Sequence, residues 1–352
     1  MAIDNKAPSK FIKRRVLLVS IPRTASNLLS KILNAHGQPN VHTNQKGGYF
    51  FYNAFMAAAE GGYLSKPGAE WEQEDKAKIK GAFQACFDDL EAHSSQAQDE
   101  NKIMFAKEHA FWFFNPAALQ KAFTGEYDSK FAKSFQVDIP EKYGAQTYSP
   151  SNETIMSDEY LRSWQLVFII RHPALAWPSF YRAMIKMQGV GLVDDDGLRG
   201  AGITNMTMRW SRLMYDWAME QPDAPIAPPI IDAHDLIHNP QIVLKLCEKT
   251  GLDPNSVQFE WSDRDNKRAQ QWIPTDAGAQ GEKHLRAANI MLSTLEASSR
   301  PNKDLAPESI DILAEAAKWK VEFGEEIASE IEKAVSDSME DYEYLKARRL
   351  TV

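Results

Sequence analysis

Val16-Leu17-Leu18-Val19-Ser20, followed by Ile21-Pro22-Arg23-Thr24-Ala25-Ser26-Asn27, is the stretch whose reading decides the fold. An unbroken apolar run that ends in a polar turn fits a strand buried on both faces. Apolar residues at helical spacing over 27–36 predict a helix directly after it. The same grammar returns further along. Residues 166–170, Leu-Val-Phe-Ile-Ile, run into Arg171-His172-Pro173 and a helical pattern reaching residue 187, with Pro173 suited to an early helical position. Residues 230–233 predict a third buried strand, and the helix expected over 239–250 is closed by Gly251. Residues 102–106 are a weaker strand candidate. Such alternation predicts an α/β fold, a parallel β-sheet flanked by helices on both faces, with ligands collected at the carboxyl ends of the strands.

The whole chain, 1–352, reads as a single domain without internal repeats. Residues 125–163 mix Tyr, Ser, Pro and charge with no sustained period, in a connection longer than compact domains usually carry, which predicts a lid or acceptor loop. Over 204–221, Trp210, Leu213, Met214 and Trp217 share one helical face and predict core packing. The acidic residues from 322 onward read as a solvated helical face.

Composition narrows the function classes. A 352-residue chain with 43% hydrophobic residues has a sizeable core to bury, which argues against a disordered or fibrous protein. Residues 1–15 are polar and basic, and no stretch approaches the ~20 apolar residues of a membrane span. Cys86 and Cys247 stand far apart without metal-type spacing. A reducing compartment, the cytoplasm, is therefore expected, with no membrane and no metal. A net charge of −8 argues against nucleic acid as a partner, so an anionic ligand must be met by a local cluster of cations and backbone amides.

The 21–27 loop is one place for such a cluster. Where a strand feeds a helix, backbone N–H groups and the helix dipole favour an anion, and Ser26 and Asn27 are able to add side-chain donors. The loop lacks both glycines and the lysine of GxxxxGK[ST], which disfavours kinase or ATPase chemistry. A simple capped βα turn explains the loop alone equally well.

The second unit, Arg171-His172-Pro173-Ala174-Leu175-Ala176-Trp177-Pro178-Ser179, separates an arginine and a serine by eight positions. Together the two units resemble the sulfotransferases that use 3′-phosphoadenosine 5′-phosphosulfate (PAPS), which implies a P-loop NTPase-like sulfotransferase fold. Downstream, His234-Asp235-Leu236 with Pro240, Leu246 and Gly251-Leu252 is similar to the family's Glu-Asp-Leu…Pro…Leu…Gly-Leu segment. Asp341-Tyr342-Glu343-Tyr344-Leu345 is similar to its Tyr-x-x-Leu ending.

The resemblance implies that Arg23, Thr24, Ala25, Ser26 and Asn27 wrap the 5′-phosphosulfate, and that Arg171 and Ser179 hold the 3′-phosphate. Gly281 and Lys283, in a Gly-x-x-Gly loop, would close over the nucleotide. It further implies that His109 of Lys107-Glu108-His109 is the general base, with Arg23 and Lys107 beside the reacting groups, and His42 as the reserve base. A hydrogen-bonded structural role for His109 stays open. The chain departs from the pattern at Ala25, where the family has glycine, at Leu28, where many members have an adenine-stacking tryptophan, and at Ala233, where they have tyrosine.

The resulting expectation is sulfuryl transfer from PAPS, without a metal, to a hydroxyl or amine of a small, hydrophobic or phenolic acceptor. Tyr49, Phe50, Phe51, Tyr52, Phe111 and Trp112 are candidates to line that acceptor's pocket, and equally candidates for core. Two alternatives remain: sulfation that only makes a leaving group for elimination or cyclisation, and a non-catalytic nucleotide-binding protein. A homodimer is an open expectation.

Overall fold

The computed structural model describes residues 14–221, 227–262 and 278–352. Its first half runs β1 (Arg15–Ser20), α1 (Ser26–Ile32), β2 (Val41–His42), α2 (Tyr52–Glu60), α3 (Gln73–Asp99), β3 (Ile103–His109), α4 (Pro116–Thr124), α5 (Ser129–Lys133), α6 (Asp158–Arg162), β4 (Gln165–Ile170) and α7 (Pro173–Gly189). The second half runs α8 (Asp195–Asn205), α9 (Arg209–Glu220), β5 (Ile230–Asp232), α10 (Ala233–His238), α11 (Gln241–Thr250), α12 (Gly278–Glu296), α13 (Ile312–Phe323) and α14 (Glu325–Lys346).

The strands form one sheet in the order β2-β3-β1-β4-β5, with every pairing parallel. Strand parity divides the core. Val16 and Leu18 of β1, Phe105 of β3 and Val167 and Ile169 of β4 face α1 and α11, while Leu17, Val19, Met104, Ala106, Phe168 and Ile170 face the other side, toward α2, α3, α7 and α14. Both faces are covered, so the strands read as continuous apolar runs rather than alternating ones. Each large apolar side chain removed from water there contributes about 1.5–3 kcal/mol.

β1 sits between β3 and β4, so the chain leaves it in opposite directions and a crevice opens at its carboxyl end. Ser20 of β1 lies in register with His109, the last residue of β3, and Arg171 follows directly on β4. Topology alone brings the three motif-bearing segments together.

Residues 125–163 are not a lid. Phe131, Phe135, Val137, Ile139, Ile155, Tyr160 and Leu161 are buried, and Phe114 bridges Thr154 in antiparallel fashion. Arg15 locks the segment to β1 by donating to the hydroxyls of Tyr143, Tyr160 and Ser163 at 2.8 Å each, with Glu91 of α3 at 2.5 Å. The missing period comes from short helices, α5 and α6, capped by Asp128 and Ser157. Among the described residues no helix is long and apolar enough to cross a membrane.

Candidate active site

The loop after β1 is shaped by two residues in left-handed conformation, Arg23 at φ 69° and Ala25 at φ 68°, on either side of Thr24. Alternating handedness turns successive N–H groups toward one side and makes an anion cradle. Ala25 thus occupies the conformation for which glycine is preferred, at a cost of about 1–2 kcal/mol for a residue with a Cβ. No side chain caps α1, which leaves the first amides of the helix for another partner.

Thr24, expected as part of the loop that wraps the phosphosulfate, spends its hydroxyl inside the loop. It is fully buried and donates to the Ile21 carbonyl at 2.7 Å, tying the loop to itself. Asn27 and Lys107 meet instead: the Lys107 ammonium donates to Asn27 Oδ1 at 2.6 Å and lies 4.2 Å from the ring centre of Tyr49. Ser26 is buried at the same place and hydrogen-bonds the Tyr49 hydroxyl.

His109 is buried between two hydroxyls. Its Nδ1 is 2.9 Å from Ser20 Oγ, which itself donates to the Glu108 carbonyl at 3.0 Å, and its Nε2 is 3.1 Å from the Tyr49 hydroxyl. Since the Ser20 proton is committed, Nδ1 carries the ring proton and Nε2 accepts from Tyr49. Burial, with the Lys107 ammonium second, holds His109 well below the usual imidazole range, so it is neutral, with the Nε2 lone pair free to accept, and a weaker base than an ordinary imidazole. Trp112 stands edge-on to the ring at 4.5 Å. His109 therefore does not face open space. Tyr49 stands between it and the loop.

Tyr49, which the sequence placed among residues that line a pocket or equally belong to the core, is what joins His109 to the loop. Gly48 delivers it. At φ 93°, Gly48 accepts from the Lys107 amide at 2.9 Å, and a Cβ there would come 3.1 Å from that nitrogen. A polar residue ending an apolar strand, Ser20, was the available signal for His109's other partner.

Arg23, Arg171 and Ser179 come together as one cluster. Arg23 Nε donates to Ser179 Oγ at 2.9 Å and Nη1 to the Met291 carbonyl at 2.5 Å; Arg171 donates to the carbonyls of Arg23 at 3.1 Å and Leu305 at 2.9 Å. All four acceptors are neutral oxygens. Burial first, then the charge of Arg23, pushes Arg171 down to about 10. Burial and Arg182 lower Arg23 as well. Asp232 offsets Arg171 in part, but burial raises its own carboxyl, which caps α10 and accepts from Tyr342. Two neighbouring half-buried cations whose hydrogen bonds go to neutral oxygens are suited to a multiply charged anion. A cleft of about 460 Å3 opens beside Arg171, lined by His172, Asp232, Ala233, His234 and Tyr342 among others.

Three expectations need correction. Residues 278–284 are the start of α12, not a glycine-rich loop, because Ala287, Ile290 and Met291 pack on Phe180, Met184 and Met187 of α7 and hold a helix; Gly281 lies inside it and Lys283 is exposed. His42 is remote from the crevice: it pairs with Met104, well before the end of β3, and is engaged by His93 at 2.8 Å and Glu100 at 3.7 Å. The aromatic residues 49–52, 111 and 112 do not line an open acceptor pocket. Tyr49, Phe50, Phe51 and Trp112 are buried in the core, and the cavity beside Phe111 and Trp112 holds only about 30 Å3.

An anion cradle at the switch point of a parallel sheet, flanked by paired arginines and a buried neutral histidine, is suited to holding an anionic group beside a reacting centre. The chain belongs to the sulfotransferase family. It is 34% identical over 345 residues to the sulfotransferase ppzF of Metarhizium rileyi, spanning 96% of each chain, and 34% identical over 347 residues to that of Metarhizium majus, again 96% of each. Among solved structures it is similar to the sulfotransferase domain from the curacin biosynthetic pathway, with 14% identity, a TM-score of 0.35 and coverage of 87% of this chain and 96% of that one. The sulfotransferase domain from the Synechococcus PCC 7002 olefin synthase gives 12% identity and a TM-score of 0.32, with coverage of 87% and 94%. No protein-family profile matches the chain.

Proposed function

We propose that this sulfotransferase takes its sulfuryl group from PAPS and passes it to a hydroxyl or amine of a small acceptor with an apolar body. The observation that carries the donor assignment is the Arg23–Arg171 pair, two half-buried guanidiniums beside Ser179 whose hydrogen bonds among the described residues go to neutral oxygens, with Asp232 offsetting Arg171 only in part. A 3′-phosphate supplies the missing countercharge and is matched by an arginine fork. The amides of residues 25–27 and the Lys107 ammonium receive the phosphosulfate end. Sulfuryl transfer needs little covalent help from the protein, so positioning and charge stabilisation supply most of the rate.

In this reading the acceptor oxygen or nitrogen attacks sulfur while the bond from sulfur to the 5′-phosphate oxygen breaks. Tyr49 takes the acceptor's proton as it gives its own to His109 Nε2, so the buried phenol never carries a full negative charge. Lys107 and the loop amides hold the charge that develops on the departing phosphate.

Calorimetric titration with 3′-phosphoadenosine 5′-phosphate tests the donor assignment. Micromolar binding by the wild type, weakened by about 100-fold in Arg171→Ala, is the expected result, equal to roughly 2.7 kcal/mol of charge-assisted hydrogen bonding. No binding by the wild type, or equal binding by both, sinks the PAPS reading and leaves the donor to be found elsewhere.

A further inference from the structure

His234 and His238 stand four residues apart on α10, so both rings project from one side of that helix, stacked at 4.4 Å between centres and 29° between planes. Glu308, from the segment between α12 and α13, reaches toward them: one carboxylate oxygen is 3.4 Å from His234 Nε2 and the other 3.7 Å from His238 Nδ1. The donor atoms of all three residues lie within 4.8 Å of one another.

Those separations are too long for hydrogen bonds, which run at about 2.7–3.2 Å. They suit a shared ion. Two donors each about 2.0–2.1 Å from a tetrahedral zinc stand roughly 3.3–3.4 Å apart.

The outer ring nitrogens strengthen the case. His238 Nε2 donates to the Ala306 carbonyl at 2.7 Å, which leaves the lone pair of Nδ1 directed at Glu308. His234 Nδ1 faces Asp235 Oδ1 at 3.6 Å, and Asp235 is itself fixed by Arg349 at 2.7 Å. His234 Nε2 is buried and has no hydrogen-bond partner among the described residues. At His238 this is the usual arrangement around a ligated metal, an imidazole whose far nitrogen is held by a carbonyl, whereas the 3.6 Å between His234 Nδ1 and Asp235 is too long for such a bond.

We propose that His234, His238 and Glu308 bind one divalent transition-metal ion of the zinc type, as a clip that ties the 303–310 segment to α10 at the rim of the cleft beside Arg171. The clip holds in place Leu305, whose carbonyl accepts from Arg171 at 2.9 Å. This site is separate from the residues assigned to sulfuryl transfer and does not depend on the identity of the donor.

The test uses the full chain, stripped with a chelator and titrated with Zn2+ against a chromophoric competitor, and with Co2+ while its visible absorption is followed. One equivalent of zinc and a tetrahedral cobalt spectrum are expected from the wild type. Glu308→Gln, whose side chain is 80% exposed and so spares the fold, weakens zinc binding at least tenfold. His234→Ala and His238→Ala, each checked by circular dichroism, abolish the cobalt spectrum. No zinc uptake by the wild type, or uptake and spectrum unchanged in Glu308→Gln and in both histidine variants, overturns the proposal.

Discussion

Replacing Arg171 by methionine is expected to abolish donor binding and yet raise the stability of the fold. The guanidinium is charged at neutral pH in both folded and unfolded chains, but burial and Arg23 push its pKa down to about 10 in the folded one. Each tenfold change in proton affinity is about 1.4 kcal/mol, so against an ordinary value of about 12.5 the buried charge costs about 3 kcal/mol. Removing it also removes donors from the Arg23 and Leu305 carbonyls. Each loss is worth about 1 kcal/mol, and the Leu305 carbonyl lies where water is able to replace the donor. The net expectation is a gain of about 1–2 kcal/mol in Arg171→Met, from a side chain of similar length and apolar packing. Urea denaturation at pH 7 measures it. Repeating the melt with 3′-phosphoadenosine 5′-phosphate at a hundredfold excess over its Kd adds about 2.7 kcal/mol to the wild type and nothing to the variant. A variant less stable than the wild type by more than about 1 kcal/mol would refute the view of Arg171 as a strained cation that Asp232 offsets only in part.

Three further outcomes follow from the site. Ala25→Gly relieves the left-handed Cβ and, after the greater freedom it gives the unfolded chain, stabilises by about 0.5–1 kcal/mol in urea, whereas Ala25→Val destabilises; stabilisation by valine would mean the loop is not held in this conformation. Tyr49→Phe lowers kcat by about 10–100-fold and leaves nucleotide binding in place; an unchanged rate in Tyr49→Phe beside a dead His109→Ala would make His109 the direct base. Burial lifts the Glu108 carboxyl to about 8, so between about pH 4.5 and pH 8 the folded chain keeps a proton that the unfolded chain has lost. Stability therefore falls as pH rises through that window, and Glu108→Gln flattens the slope; an equal slope in the variant places the titration elsewhere.

The strands legible in the sequence were those whose two faces are both covered: β1, β4 and β5 read as apolar runs because α1 and α11 on one side and α2, α7 and α14 on the other exclude water from both. β2, at two residues, carries too little pattern to read. Arg171 with Ser179, and Lys107 with His109, were visible because each pair lies within a single strand-end motif. Tyr49 was not, because its place beside His109 depends on Gly48 meeting the backbone of β3 across nearly sixty positions of chain. The helix over 278–296 was misread for the opposite reason: a local glycine spacing suggested a loop, and packing against α7 overrode it. Residues 125–163 were misread as a lid because three hydroxyls bound to one buried arginine leave no periodic trace.

The central place of β1 has a consequence for how the protein is made. On one side Val16 pairs with the strand containing Phe105, and on the other it waits for Gln165, about 150 positions later. At about 5–20 residues per second, a ribosome takes roughly 8–30 s to deliver that partner. For much of that interval an apolar strand has left the exit tunnel with both edges unpaired until β3 is made and one edge unpaired thereafter, which makes the nascent chain a natural client for a holdase chaperone. The anion-binding loop exists only at the end of a paired β1, so it is among the last parts of the enzyme to take shape, although it is among the first to be synthesised.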